Sequence, residues 1–509
     1  MCVFDNLFLW SYYKYIMVSG SILQLVAHGV QDVYLIGNPQ MTYFKTVFKR
    51  HTNFAVESIQ TTFVGKANFG QKATILIPRK ADLLSNLILE VDLPSISTTT
   101  GVSGSSSEAT GTMKYVDNVG HALIQQADIL IGDQLIDRQY GEWMDIWTLL
   151  TENDSKKETL DDMLDRTGDL NNTGGITIYI PMRFWFCRNI GLALPLIALQ
   201  YHDVKVEITF RTLAEVTTLG DYAYYNATGT SGSTSLSLVK QDSVNTPSVD
   251  SDVAGKYIVT SNGTTLTVSI VYGVSGAGTV ASPYIVTLDS ALSSSLSSDE
   301  AYVKPNGVLT SSPVMTSARM YADYIYLDTY EKKQFALTKH RYLIEQLQYN
   351  GPESITAGLI TKKFALNFNL PVKELYWTLQ QDRVSLNNDL FNYSNTVAED
   401  IVKGNMLSEC YLRMNGIERF EERNADYFRL IQPYLRHNRS PKKFFYMYSF
   451  ALNPEKHQPS GSSNFSKLDS ASLELTMTSG NPISTLKVYA LSYNILRIMD
   501  GMGGVAFSS

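Results

Sequence analysis

The sequence predicts an all-β protein built from sandwich or jelly-roll units. Aromatic residues make up 11% of the chain, with 31 Tyr and 21 Phe, and such side chains favour the half-buried surface of a sheet. Apolar and polar residues alternate in many short segments bounded by turn residues, which is typical of antiparallel strands. The 509 residues and the 44% hydrophobic content exclude a disordered chain and allow about three folding units.

An N-terminal arm over residues 1–50 precedes the strand signals. It is a poor signal peptide because it lacks a positive start and a small-residue cleavage site, and no window has the ~18 uninterrupted apolar residues of a spanning helix. Phe44, Val47 and Phe48 recur at helical spacing, which predicts a short amphipathic segment. We expect these side chains to pack in a core rather than to dock on a membrane or a partner.

The first strand-rich region covers residues 51–216 and 318–330. In VKVEITF (204–210), apolar residues alternate with Lys, Glu and Thr, so one face of this strand is expected in a core. The same region contains four further strand candidates: KATILIP, LILEVDLP, ADILIGDQLI and ARMYADYIYLD.

One helix interrupts these strands. The large apolar residues of GEWMDIWTLLTE fall on a single stripe, which predicts a helix over residues 141–152. Residues 152–172 are polar and acidic, so we expect a long solvated loop with one helical turn around Leu160 and Leu164.

Two low-complexity runs are rich in hydroxyl side chains. Residues 95–112 cannot bury a core and predict an exposed, mobile loop. Residues 217–317 contain 20 Ser, 14 Thr, three Lys, no Arg and seven acidic residues, a composition unlike either flank, so we interpret them as an insertion. Alternating segments on both sides of Asn262-Gly263 predict a hairpin and SPYIVTLDS predicts a third strand, so the insertion should be a small β subdomain.

The second strand-rich region covers residues 331–509. Asp328 followed by Glu331 predicts a capping box for a hinge helix that reaches His340. Strand-like segments follow it to the end of the chain, and Asn415-Gly416 predicts a hairpin turn between two of them.

The sequence offers no catalytic, cofactor-binding or metal site. None of the seven histidines has a metal-ligand spacing, and the three cysteines are too far apart for a zinc site or a disulfide framework. Cys187 lies between aromatic residues and should be a buried small hydrophobe. The acidic pairs Asp161-Asp162 and Glu421-Glu422 are expected on solvated faces. A net charge of −7 disfavours direct binding of nucleic acid.

Four sequons are candidate glycosylation sites: Asn226, Asn262, Asn392 and Asn438. A chain this rich in Ser and Thr produces sequons by chance, and a cytosolic product would not meet the glycosylation machinery. The hydroxyl-rich insertion is the place where any added sugar is most expected.

Eight collinear blocks between Ile22 and Ser509 carry a family resemblance. They include VGHALIQQADILIGDQLIDRQYGEWMDIW, IPMRFWFCRNIGLALPLIALQYHDVKVEI, ADYIYLDTYEKKQFALTKHRYLIEQ, FNLPVKELYW, NADYFRLIQPY and YSFALNPEKHQPSGSSNFSKLD. The chain resembles the double jelly-roll major capsid protein of nucleocytoplasmic large DNA viruses. The resemblance does not extend to residues 1–16, where similar proteins begin near Met17, or to the insertion; whether Met1 or Met17 is the start stays open.

The resemblance implies two tandem eight-stranded antiparallel jelly rolls, with short helices and the β-rich insertion. It further implies a homotrimeric, pseudo-hexagonal capsomer that tiles an icosahedral shell over an internal membrane, assembled in the host cytoplasm. Expected partners are other copies of the chain, minor capsid and penton proteins, and the membrane, which the arm could contact; no cofactor is implied.

The position of the insertion follows if VKVEITF and ARMYADYIYLD are the last two strands of the first roll. We then expect it at the same end as the loop joining the fourth and fifth strands, on the outer capsid surface near the threefold axis. The alternative functions are a carbohydrate-binding or adhesive jelly-roll protein and a metal-dependent enzyme on a similar β fold, although the histidine cluster that the enzyme would need is not visible.

Overall fold

The structure is a computed structural model that describes residues 27–507 with internal gaps. The gaps are at 47, 97, 100–112, 167–174, 220–222, 241–256, 262–265, 276–282, 289–291, 293–294, 305–307, 310–312, 357, 383, 385–387, 396–403 and 479–482. The chain forms two compact units, Met1–Asn53 and Phe54–Ser509.

In the N-terminal unit, a 3-10 turn (Val30–Asp32) leads into the short helix α1 (Val33–Ile36). Residues 43–45 form turns and bends instead of the predicted amphipathic segment, because so short a helix is costly to nucleate. Phe44 and Phe48 are 99% and 85% exposed, so the prediction that they pack in a core is wrong. Val47 lies outside the described residues.

Strands dominate the chain from Phe54 to Leu327. They are β1 (Phe54–Thr62), β2 (Lys72–Ile77), β3 (Leu83–Leu93), β4 (Thr98–Thr99), β5 (Met113–Tyr115), β6 (Ile124–Ile131), β7 (Gln134–Gln139), β8 (Ile176–Pro181), β9 (Leu194–Pro195), β10 (Val204–Phe210), β11 (Thr217–Leu219), β12 (Ala223–Gly229), β13 (Ser235–Lys240), β14 (Tyr257–Ser261), β15 (Leu266–Ser275), β16 (Tyr284–Leu288), β17 (Leu296–Lys304), β18 (Val308–Leu309) and β19 (Ser317–Leu327).

Two antiparallel sheets build the first jelly roll, in the orders β1–β19–β3–β8 and β2–β10–β6–β7, with β9 added on β3. The predicted strand VKVEITF is β10, and its apolar residues are buried while the polar ones between them are half-exposed. Each inner face therefore takes every second residue, as the alternation predicts.

Short helices fill the connections between strands. They are α2 (Val119–Leu123), α3 (Gly141–Thr151), α4 (Lys157–Leu164), α5 (Trp185–Arg188), α6 (Leu213–Val216), α7 (Thr329–Leu337) and α8 (Gln432–Arg436), with 3-10 turns at Asp154–Lys156, Ile190–Leu192, Leu196–Ala198 and Phe465–Lys467 and a π turn at Tyr427–Ile431. Helix α3 confirms the predicted helix. The helical turn predicted around Leu160 and Leu164 is confirmed by α4, on which both leucines are buried on one face. The segment from residue 154 is more helical than the predicted loop, although residues 153–159 are exposed as expected.

The insertion contains a closed barrel with the strand order β12–β13–β16–β15–β14–β17. Its hairpin β14–β15 is confirmed by the pairing of Ser261 with Leu266, and β16 is the predicted third strand. Asn262-Gly263 itself lies outside the described residues. The barrel begins and ends on neighbouring strands, because Ala223 of β12 pairs with Val303 of β17. Its buried side chains include Ala227, Leu236, Leu238, Val286 and Leu288.

The end of the roll at which the insertion lies differs from the expectation. The chain leaves β10 and returns at β19, which are the last two strands of the first roll, as predicted. However, β18 of the insertion pairs with β4, which lies in the connection between the third and fourth strands, β3 and β6. The expected proximity to the loop joining the fourth and fifth strands is wrong, because successive connections of an antiparallel roll alternate between its two ends.

The second jelly roll follows α7 and repeats the same arrangement. Its strands are β20 (His340–Ile355), β21 (Thr361–Ala365), β22 (Pro371–Gln381), β23 (Leu407–Met414), β24 (Ile417–Glu418), β25 (Arg423–Asn424), β26 (Tyr446–Ser449), β27 (Ser463–Asn464), β28 (Ala471–Met477), β29 (Ser484–Met499) and β30 (Met502–Val505). The sheet orders are β20–β29–β22–β26 and β21–β28–β23–β24, with β25, β27 and β30 pairing with β23, β22 and β29. The predicted double jelly roll is therefore confirmed.

Two local predictions about the second region have different outcomes. The turn at Asn415-Gly416 is confirmed, and both residues have positive φ angles, of 51° and 76°. The hinge helix starts after Asp328, but the Asp328 side chain makes no capping hydrogen bond, so the predicted capping box is wrong. The helix also ends at Leu337, because His340 already belongs to β20.

Candidate functional site: the seam between the two jelly rolls

The hydrophobic core of the first jelly roll continues into the second, which also has a core of its own. Inside the second roll, Trp377 of β22 and Val488 of β29 pack between its own two sheets. Their neighbours Tyr376 and Tyr489 point the other way and belong to the core cluster of the first roll, together with Met447 of β26. The outer face of the sheet β20–β29–β22–β26 is therefore buried against the first roll, along a surface that we call the seam.

Helix α3 contributes a buried carboxylate to the seam. Glu142 accepts hydrogen bonds from Lys487 Nζ at 2.6 and 2.8 Å and from the Tyr489 hydroxyl at 3.2 Å, both in the second roll. Arg211 lies 3.4 Å away on the first roll. Burial alone raises the pKa of Glu142, but Lys487 and then Arg211 outweigh it and hold this pKa below its usual value. The carboxylate is thus ionised and bridges the two rolls.

A second carboxylate of α3 lies in a cluster of cations. Asp145 is fully buried and accepts hydrogen bonds from Asn118 Nδ2 and Lys443 Nζ, each at 2.9 Å, and it also pairs with Arg166. His121 Nδ1 lies 3.9 Å from the same carboxylate. Lys443 belongs to the second roll, so Asp145 also joins the two rolls.

The fully buried His121 has an unusual environment. Neither ring nitrogen has a hydrogen-bond partner in the part of the chain that the structure describes. Burial holds the pKa of His121 well below its usual value, and three nearby cations add to this effect: Arg166, Arg183 and Lys443. The ring is therefore neutral in the folded protein.

A third group of charges surrounds Glu345 of β20. Arg188 of the first roll approaches Glu345 Oε2 at 2.7 Å, and the fully buried Lys373 approaches Oε1 at 2.5 Å. The Arg188 guanidinium also lies 4.4 Å from the centre of the Trp147 ring on α3, in cation–π geometry. Charged and aromatic groups from both rolls are thus interleaved.

A cavity of about 280 Å³ opens beside this group, and its lining includes Trp147, Arg183, Trp185, Cys187, Arg188 and Glu345. Its arginines are already paired, Arg183 with Glu152 at 2.9 Å and Arg188 with Glu345. Cys187 is partly buried, and burial raises the pKa of its thiol to about 12, which disfavours the thiolate. Across the described ranges, no three His, Cys, Asp or Glu side chains are grouped so that they could hold a metal ion.

The four candidate glycosylation sites lie on separate elements. Asn226 is in β12 of the barrel, and Asn262 lies outside the described residues. Asn392 is 6% exposed, and its Oδ1 accepts hydrogen bonds from the Ser394 N–H at 3.0 Å and the Ser394 hydroxyl at 2.7 Å. Asn438 is exposed, and its Nδ2 donates to Glu455.

Reasoning from the sequence missed the charges of the seam. Their signal is an ionisable residue inside an otherwise apolar segment, as with Glu142 and Asp145 in GEWMDIWTLL and with Lys373 in VKELYW. Such residues are rarely buried unless they are paired. The partners of Glu142 and Asp145 in the second roll, however, are 345 and 298 residues away. Among the described residues, no helix combines the length and the hydrophobicity of a membrane span.

Comparisons with known proteins agree with this architecture. The family of the major capsid protein N-terminus matches residues 42–254, and the family of the large eukaryotic DNA virus major capsid protein matches residues 331–504. The major capsid protein of Pyramimonas orientalis virus is 35% identical over 521 residues, covering 97% of this chain and 100% of that protein. That of Paramecium bursaria Chlorella virus 1 is 32% identical over 536 residues with the same coverage.

Solved structures match over the same extent. A quasi-atomic description of the PBCV-1 virus capsid covers 92% of this chain and 100% of its own, with a TM-score of 0.64 at 27% identity. The Faustovirus major capsid protein has a TM-score of 0.62 at 13% identity, covers 93% of this chain and 95% of its own, and shows the shared fold. With two jelly rolls fused along a buried seam and relatives of this kind, the chain belongs to the major capsid protein family of large eukaryotic DNA viruses, structural proteins of the virion shell.

Proposed function

We propose that three copies of the chain form a capsomer of six jelly rolls, which tiles an icosahedral shell over an internal membrane after assembly in the host cytoplasm. The observation that carries this proposal is the seam, because it holds two rolls side by side with corresponding loops at the same end. The connections that follow the fifth strand of each roll meet there, where Asp145 binds Lys443. Three such rigid pairs make a six-membered ring.

Light scattering tests the trimer. We expect a stable species near three times 56.8 kDa, without bound metal. Material that stays monomeric at every concentration would overturn the proposal. Particles imaged by electron microscopy would then test the pseudo-hexagonal packing and the icosahedral shell.

We further propose a division of labour along the chain. Residues 51–216 with 318–330 and residues 331–509 form the shell, and residues 217–317 decorate its exterior near the threefold axis. This placement requires that the end of the first roll with the β3–β6 connection, where β18 pairs with β4, faces outward. Cryo-EM density for the barrel on the membrane side would contradict this placement. Any added sugar is expected in the insertion, at Asn226 or Asn262, rather than at Asn392 or Asn438, and peptide mass spectrometry of virions would detect it.

The arm, residues 1–50, is proposed to contact minor capsid and penton proteins or the membrane, and the chain is not expected to bind nucleic acid directly. Exposed large apolar side chains in the arm, such as Tyr34 and Phe44, support a covering partner. Deleting residues 1–40 should leave trimers intact but impair capsid closure. Normal virions from the deletion would count against this role.

A further inference from the structure

We propose that residues 427–436 of one copy dock on the outer face of the sheet β1–β19–β3–β8 of a second copy, so that copies join head to tail. This segment, which we call the docking helix, consists of the π turn Tyr427–Ile431 and helix α8. The inference rests on the proposed trimer and identifies the surfaces that would form it.

The seam supplies the pattern for this contact. In the first roll, α3 follows the fifth strand, β7, and precedes the sixth, β8. This connection covers the outer face of the corresponding sheet in the second roll, where Glu142 meets Lys487 and Tyr489. Within the chain, therefore, the connection after the fifth strand of the first roll packs on the outer face of a sheet of the second roll.

The docking helix occupies the equivalent position in the second roll, since it lies between β24–β25 and β26. Unlike α3, which is buried along almost its whole length, it presents large apolar side chains to solvent. Ile431, Tyr434 and Leu435 are 47%, 78% and 57% exposed. Neighbouring exposed apolar side chains of this kind mark an interaction surface.

The first roll offers the equivalent receiving face. Met320, Ala322 and Tyr324 of β19 point into the core, so the residues between them point outward. The outward residues of the sheet include Val56 and Tyr179, which are 52% and 38% exposed. In the second roll, by contrast, the outer face of the equivalent sheet is buried in the seam. This exposed face of the first roll is therefore the surface on which we expect the docking helix of a second copy to pack.

The charges of the two surfaces are complementary. The outward face of the sheet carries three carboxylates and one guanidinium, since Arg319 pairs with Glu90 at 2.6 Å and with Asp92 at 3.2 Å while Asp323 lies on the same side. The docking helix ends in Arg436. Arg436, at the edge of the apolar contact, would be attracted to the carboxylates of the sheet face.

Head-to-tail contacts close into rings when the rotation allows it. Around such a ring, the seam within each chain would alternate with the proposed contact between chains. Three chains would then place six rolls in one ring, and every docking helix would lie on a receiving face. A trimer built in this way leaves neither the docking helix nor its receiving face exposed.

Two surface variants test the proposal by light scattering and thermal melting. Tyr434→Asp removes the docking helix contact and Val56→Asp removes the receiving face. Each should give monomers near 56.8 kDa that keep a cooperative melting transition, which shows that they are folded. Ile360→Asp is the matched control, because Ile360 is 67% exposed on neither surface, and it should remain trimeric. Leu435→Ser replaces Tyr434→Asp if that variant fails to fold.

Mixing the two variants gives the sharpest result. Each retains one intact surface, so an equal mixture should form a dimer of one copy of each but no closed trimer. Trimers from either variant alone, or a mixture that remains monomeric, would overturn the docking surfaces while leaving the trimer proposal standing. A wild-type chain that is monomeric at all concentrations would overturn both.

Discussion

His437 Nε2 lies 3.0 Å from Glu374 Oε1, and neither side chain has any exposed surface. The other ring nitrogen lies 3.0 Å from Glu455 Oε1, and the ring meets Trp147 of the first roll edge-on. Burial alone lowers the pKa of His437, but Glu374 and then Glu455 outweigh it and raise this pKa to about 9. A buried imidazolium with two carboxylates thus lies where the second roll meets the first.

Replacing His437 with Gln should lower the free energy of unfolding by about 3 kcal/mol at pH 7, because the buried Glu374 would lose the cation that stabilises its charge most and keep only Lys373. The folded-state pKa exceeds the unfolded value of about 6.5. The stabilisation is therefore complete below that value and is lost as the pH rises through about 9. Denaturant unfolding at pH 7 and pH 10 measures it, and the difference between variant and wild type should shrink at pH 10. An equal loss of unfolding free energy at both pH values would contradict the charge-based explanation. The control is His457→Gln, at a partly exposed position, which should change the unfolding free energy little at either pH.

His121 should make the protein less stable in acid. Its folded-state pKa lies well below the unfolded value, so the unfolded chain binds more protons and stability falls as the pH drops below about 6.5. His121→Leu removes this proton uptake at a site where neither ring nitrogen has a described hydrogen-bond partner. We expect a smaller decrease in melting temperature between pH 7.5 and pH 5 than in the wild type. An unchanged decrease would show that other groups dominate the acid response.

The pair Glu142–Lys487 should couple the stabilities of the two rolls. Lys487→Met alone should cost about 3 kcal/mol, because it leaves the Glu142 carboxylate buried with the more distant Arg211. Combining it with Glu142→Gln should cost less than the sum of the two single changes, since the double variant leaves no unpaired carboxylate. Chemical unfolding of all four proteins gives the interaction energy. Additive effects would show that the two side chains do not interact.

The barrel in the insertion should fold separately from the rolls. It is closed, it buries its own apolar residues, and Ala223 and Val303 are paired, so their Cα atoms are about 5 Å apart. Replacing residues 223–304 by two glycines should leave the melting temperature of the rolls and the oligomeric state unchanged. In the full chain, Leu238→Asp should lower one calorimetric transition and Ile208→Asp, in β10, another. A single transition shifted by both changes would contradict a separate barrel.

Most of the strands and helices could be predicted from local patterns in the sequence. The alternation in VKVEITF fixes β10 and the stripe in GEWMDIWTLL fixes α3, because both depend on neighbours within a few residues. The charges of the seam could not be predicted, since Glu142 and Lys487 are 345 residues apart and only the packing of two complete rolls joins them. For α4, Leu160 and Leu164 indicated one helical turn, but the polar residues around them hid the full length of the helix, Lys157–Leu164.

The chain enters and leaves the barrel at paired residues, Ala223 and Val303. A cassette whose two ends coincide can be gained, lost or exchanged without shifting the register of β10 or β19. The chemistry of that appendage can therefore change between related chains while the pairing of the two rolls along the seam is kept.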